Sequence, residues 1–125
     1  MPKATSTEHD EQCAYFQWVG IMGIRDKRYK NIYAIPNGGH RHIGVARKLK
    51  REGVKSGVLD INVDWPMGNY HGLKIEMKVG YNKASPNQKI WIERFENAGY
   101  KVEVCYSSIE AIEATKKYFS LLTQP

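Results

Sequence analysis

A chain of 125 residues, 42% hydrophobic and 26% charged, has the composition of a globular domain and can bury a core without disulfides, which excludes a disordered or disulfide-framed protein. No apolar run approaches the length of a membrane span, and residues 1–6 lack the apolar core of a signal peptide, so a cytoplasmic protein with no membrane partner is expected. The formal net charge of +6 and the pI of about 9.3 suit a polyanion partner, nucleic acid first.

Cys13 and Cys105 are the only cysteines. They stand far apart with no Cys-x-x-Cys pairing, and read as reduced thiols, not as zinc ligands. No repeat, low-complexity tract or linker divides the chain, so residues 1–125 read as one domain, with 1–6 a loose tail.

The first helix starts near Thr7, where Thr7 and Asp10 are spaced as a capping pair. Ala14, Tyr15, Trp18 and Val19 form its apolar stripe, Glu11 extends that stripe, and Glu8 lies one turn earlier. Residues 31–35 read as a strand, stopped by the turn chemistry of Pro36, Asn37, Gly38 and Gly39. A basic helix follows over 43–52, with Gly53 at its C-terminal cap.

Two strands come next, at 58–63 and 73–79. In the first, Leu59, Ile61 and Val63 share one face, with Asp60 and Asn62 opposite. In the second, Leu73, Ile75, Met77 and Val79 share one face, with Lys74, Glu76 and Lys78 opposite. The connection contains Pro66, Gly68 and Gly72, which suits a long-looped antiparallel hairpin. Ser85, Pro86 and Gln88 then start a helix with a capping box and proline at its first position; Trp91, Ile92 and Phe95 are its stripe and Gly99 its end. Residues 101–106 read as a strand, and Ser107 with Glu110 caps a last helix to about Leu122. The order α, β, α, β, β, α, β, α predicts an α/β fold with a mixed central sheet and helices on both faces.

Asp60 and Glu76 lie on neighbouring strands and face the same side, so they can share a divalent cation, and hard oxygen ligands suit magnesium or manganese. Lys78 projects from the same face, where it can orient or help deprotonate a water and contact a phosphate. Glu11 can add a third carboxylate, and the main-chain carbonyl of Met77 can face the cation if the strand ends there. This is what phosphodiester hydrolysis needs. The alternative is a solvated strand face with a polar residue near a strand end. Against it, Asp60 stands between apolar neighbours, where an unpaired carboxylate is costly.

Five segments occur in order: Glu11-Gln12, Ile35-Pro-Asn-Gly-Gly39, Glu52-Gly-Val-Lys-Ser-Gly-Val-Leu-Asp60, Ile75-Glu-Met-Lys78 and Ser85-Pro-Asn-Gln88-x-x-Trp91. Together they resemble the VRR-NUC family of the PD-(D/E)XK nuclease superfamily, in its short stand-alone form typical of phages and bacteria. The resemblance runs from about Glu8 to Tyr106. It implies a restriction-endonuclease-like core. It also implies that Asp60 and Glu76 are the principal metal ligands, that Glu11 assists them in preference to Glu8, that Lys78 is the catalytic lysine, and that Gln88 begins a helix motif reaching back to the site. Leu59 stands where the superfamily's name has proline, a residue that shapes the strand without catalytic contact.

The resemblance places the loop of Asn37, Gly38 and Gly39 near the DNA path. Arg41, Arg47, Lys48, Lys50 and Arg51 cluster on the helix after it and read as a backbone-tracking surface, with a solvated helix face as the alternative. Lys83 and Lys89 flank the Gln88 helix start and can add to that surface. His40 and His42 read as phosphate contacts or plain surface. The expected function is that of a metal-dependent, structure-selective DNA endonuclease using Mg²⁺ or Mn²⁺ and no small-molecule cofactor. The leading substrate is the Holliday junction, cut by a homodimer in a bacterial cell or phage-infected host. The alternatives are a flap, nick or single-strand nuclease and a non-catalytic DNA-binding module. Tyr70, Tyr118, Phe119 and Leu122 are candidates for a dimer surface.

Overall fold

The computed structural model describes residues 6–36, 42–80 and 82–122. Asn37, Gly38, Gly39, His40 and Arg41, and most of the expected tail, lie outside the described residues.

Helix α1 (Glu8–Met22) begins at the expected capping box: Thr7 Oγ1 accepts from the Asp10 N–H and Asp10 Oδ2 accepts from the Thr7 N–H. A 3₁₀ helix (Lys27–Asn31) then leads into β1 (Ile32–Ala34). It occupies a stretch whose sequence shows no helical repeat. Asp26 caps it, and Tyr29 anchors it in the core. Helix α2 (Ile43–Arg51) buries no residue; His42 caps its start by accepting from the Gly44 N–H, and Gly53, with φ +98°, takes the left-handed position past its end.

Strands β2 (Ile61–Val63), β3 (Leu73–Met77) and β4 (Lys101–Cys105) complete a sheet in the order β1-β2-β3-β4. The first two pairings are antiparallel and the third is parallel. A parallel pairing needs a crossover, and α3 (Pro86–Asn97) supplies it. Helix α4 (Ser108–Phe119) closes the chain against α1. No described helix is long and apolar enough to cross a membrane.

The period-two reading assigns the faces correctly. Ile61, Val63, Leu73, Ile75 and Met77 join Tyr15, Val19, Ala111 and Phe119 in one core between the sheet and the α1–α4 pair. The opposite face of β3 is not solvated, because α3 crosses over it and buries Lys74 and Glu76. The Lys74 ammonium lies 4.8 Å from the Phe95 ring centroid and 4.6 Å from that of Tyr100, so its charge sits between two aromatic faces.

Two strand boundaries differ from expectation. β2 starts at Ile61, so Asp60 precedes the strand, although its carbonyl still accepts from the Ile35 N–H at 2.7 Å. β3 ends at Met77, two residues early. One interaction accounts for both: Asp60 Oδ2 accepts from the Met77 N–H at 2.8 Å, so a side chain serves that donor and the regular ladder stops. Tyr118 and Phe119 pack inside the fold, Tyr70 is half-buried, and Leu122 stays exposed.

The hairpin loop depends on α4. Tyr118 Oη donates to the Trp65 carbonyl at 2.5 Å and accepts from the Met67 N–H at 3.1 Å. Tyr118→Phe is expected to destabilise the protein by about 1–3 kcal/mol, since it strands two main-chain groups while keeping the ring. Urea denaturation measures the shift, and an unchanged midpoint would show that water replaces the hydroxyl freely.

Candidate active site

The register Ile61↔Ile75, extended by one residue, sets Asp60 opposite Glu76. Both side chains leave the sheet on the face under α3, and they meet side chain to side chain. Glu76 is only 3% exposed. Its Oε1 accepts from Gln88 Nε2 at 2.5 Å and lies 3.9 Å from Lys78 Nζ. Its Oε2 is buried and has no hydrogen-bond partner. Asp60 is fixed by the Met77 N–H.

Gln88 performs two tasks at once. Its carbonyl oxygen accepts from the Ser85 N–H at 2.9 Å, completing the capping box of α3, while its amide nitrogen holds Glu76. The helix start is therefore locked to a buried carboxylate through one side chain.

The segment before Asp60 is locked to the same helix end. Asn87 Nδ2 donates to Ser56 Oγ at 3.2 Å, and Trp91 Nε1 donates to the Ser56 carbonyl at 3.1 Å. Gly57 has φ +80°, and a Cβ on it would lie 2.7 Å from Asn87 Cβ. Only glycine lets this segment lie so close to α3.

The electrostatics follow from burying two acids together. Burial, then the charge of Asp60, raises the Glu76 carboxyl to about 8, against the attraction of Lys78; Glu8 adds a further repulsion. Burial also raises Asp60, although the Met77 N–H opposes this. Without a cation the pair therefore keeps a proton at neutral pH.

Asp60, Glu76, Lys78 and Gln88 are thus brought together. Glu11 is engaged elsewhere: one oxygen accepts from Ser6 Oγ at 2.6 Å, the other from the Ser108 N–H at 2.9 Å at the start of α4. Both bonds lower its pKa. Glu8, one turn earlier, is the α1 carboxylate whose charge reaches Glu76. Among the described residues no three His, Cys, Asp or Glu side chains converge as a metal-holding group.

The VRR-NUC domain model matches residues 9–109 of this chain. The chain belongs to the VRR-NUC family. A solved structure described as a VRR_NUC domain protein superimposes with a TM-score of 0.80 at 31% identity, over 96% of this chain and 93% of that one. None of the curated proteins matches the chain. VRR-NUC is a nuclease family, and the mixed four-stranded sheet with flanking helices is its fold.

Helix α2 of this VRR-NUC domain carries its basic residues on two faces. Arg47, Lys48 and Arg51 line one depression with Gly44 and Glu52, whereas Ala46, Leu49 and Lys50 face α3 across a groove. The sequence reading grouped these cations together and passed over Lys55 and Arg94, which share the groove with Lys50. The spacing 46, 49, 50 against 44, 47, 48, 51 carries that division.

The acid pair sets the pH dependence of stability. The folded state holds the Glu76 proton up to about pH 8, whereas the unfolded chain releases it near the ordinary 4.5. Between these values the folded state binds more protons, so stability of the metal-free protein should fall as pH rises, by at most about 1.4 kcal/mol per pH unit for one group. The window lies above the range in which Asp10, Glu11 and Asp26, whose pKa values are lowered, titrate. Glu76→Gln should flatten the slope. Thermal melts in chelator from pH 5 to 8 read the effect, and pH-independent stability of the wild-type protein would refute it.

Proposed function

We propose that this VRR-NUC protein is a divalent-metal-dependent endonuclease acting on branched or structured DNA, with Asp60 and Glu76 as metal ligands and Lys78 as the catalytic lysine. One observation carries the reading: Glu76 Oε2 is buried, and among the described residues it meets only a second carboxylate, so it is satisfied by a proton shared with Asp60 or by a cation. Such an oxygen is costly unless protonated or bound to a cation. The two carboxylate side chains form an oxygen donor pair, with the Met77 carbonyl proposed as a further oxygen, while the Met77 N–H orients Asp60. Such a set suits Mg²⁺ or Mn²⁺, which take one or two protein carboxylates and complete their shell with water and phosphate oxygens. When bound there, the cation supplies charge neutralisation at the phosphate and lowers the pKa of water.

The remaining work falls to side chains. Gln88 holds Glu76 in one rotamer by its 2.5 Å hydrogen bond, so the free oxygen keeps a fixed direction. Lys78 brings a cation to the edge of the acid pair and donates to a non-bridging oxygen of the scissile phosphate. Glu11 accepts from Ser6 and the Ser108 N–H, which seats α1 against α4, and its assistance to the metal uses the lone pairs that these two bonds leave. Arg47, Lys48 and Arg51 hold the DNA backbone.

Chelation should abolish cleavage of a labelled junction, and Asp60→Ala or Glu76→Ala should do the same in saturating magnesium. Lys78→Ala should bind DNA normally and lose about two or more powers of ten in turnover. Full activity in excess chelator would remove the mechanism, and an equal loss of binding and rate in Lys78→Ala would reduce that lysine to a phosphate contact.

One chain supplies one acid pair and one cut. Resolving a four-way junction takes two cuts related by symmetry, so the reading includes a twofold homodimer. Wild-type chains mixed with Glu76→Ala chains should form particles that nick one strand only. A monomeric mass by light scattering together with uncoupled cuts would exclude the junction as substrate while leaving the nuclease chemistry in place.

A further inference from the structure

The groove between α2 and α3 belongs to neither the acid pair nor the outer basic surface. Its volume is about 520 Å³, the size of a small-ligand cleft. Leu49, Val54 and Trp91 give it an apolar lining, and Lys50, Lys55 and Arg94 add three cations; among the described residues no carboxylate lines it. Val54 is 41% exposed, and the three cations are exposed.

The indole is held rigidly. The Trp91 ring stacks on Phe95, with centroids 5.5 Å apart at 29°, and its N–H is fixed to the Ser56 carbonyl. The Arg94 guanidinium lies 4.9 Å from its centroid. The groove also runs directly to the chemistry. Its wall residue Asn87 precedes Gln88, which touches Glu76, and its wall residue Ser56 lies on the segment that delivers Asp60.

We propose that this groove binds unpaired nucleotides of the DNA strand that enters the catalytic site. A duplex offers a surface only its charged backbone and groove edges, for which an apolar lining has no use. An unpaired strand offers phosphates to cations and base faces to apolar and aromatic surfaces in alternation, and clefts that combine the two recognise single strands without sequence preference. The outer face of α2 has cations and Glu52 but no aromatic lining, as suits a phosphate-tracking surface. The substrate range thus includes flaps, gaps and splayed arms. The inference rests on the nuclease reading only in naming which strand is held.

The test measures binding in chelator, apart from cutting. A labelled oligothymidylate and a duplex of equal length are titrated by fluorescence anisotropy against wild type, the combined Lys50→Ala, Lys55→Ala, Arg94→Ala variant, and the combined Arg47→Ala, Lys48→Ala, Arg51→Ala variant. The groove variant should lose about tenfold or more in single-strand affinity, and its log–log salt slope should fall by about 2, from about 0.7 per contact removed, with a much smaller effect on duplex. The outer-face variant should weaken both. Quenching of intrinsic fluorescence by the oligothymidylate should disappear in Trp91→Phe, which retains Trp18 and Trp65.

Unchanged single-strand affinity in the groove variant, or an equal loss for both DNA forms, overturns the proposal even if the wild-type protein cuts DNA. A protein that binds oligothymidylate through the groove but cuts nothing in magnesium or manganese would instead refute the nuclease reading and leave the groove standing.

Discussion

The structure turns on one costly arrangement, two carboxylates brought together beneath a helix. Burying Glu76 beside Asp60 opposes folding whenever both are charged. The surrounding elements are built to hold the pair despite that opposition. β3 is buried along both faces, with Ile75 and Met77 on the α1–α4 side and Lys74 and Glu76 under α3. An apolar side chain in place of Glu76 would fold at least as well, so stability does not explain its presence. The proposed cation site would account for it, since a buried acid pair that destabilises the metal-free protein gains free energy from any cation bound there.

The elements were legible in the sequence because each carries its own punctuation. Thr7 with Asp10 and Ser85 with Gln88 form the capping boxes that their spacing announces, and the two-residue alternation of 59–63 and 73–77 assigns the core face correctly. What the sequence did not reveal depends on contacts distant along the chain. The 3₁₀ helix before β1 exists because Tyr29 fits between Trp18 and Phe119, which no local pattern records. Strand ends at Asp60 and Met77 depend on a side chain capturing a main-chain donor across the sheet. α2 was foreseen as a basic helix, but its freedom from the core could not be read from its residues.

The candidate site shows the same division. Asp60, Glu76 and Lys78 were found by alternation on adjacent strands, and the structure places them together. Gln88 was singled out both as a cap and as a residue reaching the site, and these two readings prove to be one arrangement, since opposite ends of its amide serve the two partners. Helical spacing favours Glu11 over Glu8, because Glu11 extends the apolar stripe. Glu11 does extend the inward face, and for that reason it meets the α4 N-terminus, where a carboxylate complements main-chain donors. Glu8, nearer the end of α1 and more exposed, is the one whose charge reaches the acid pair.

The same logic connects the groove to the chemistry. Asp60 arrives on an irregular segment that Ser56 and Gly57 hold against Asn87 and Trp91, and its own carbonyl and carboxylate are pinned by the Ile35 and Met77 N–H groups. Glu76 arrives on a rigid central strand, and its rotamer is set by Gln88 on the same helix end. Both acids therefore lean on the first turns of α3, Asp60 with the Met77 N–H as a second support, and one wall of the groove is formed by those turns. A strand bound in the groove, as proposed, would touch Ser56 and Asn87, the residues that join the segment before Asp60 to α3. Precision at the acid pair then does not require a large protein: one capped helix, crossing a sheet between two parallel strands, fixes both acids and borders the path to them.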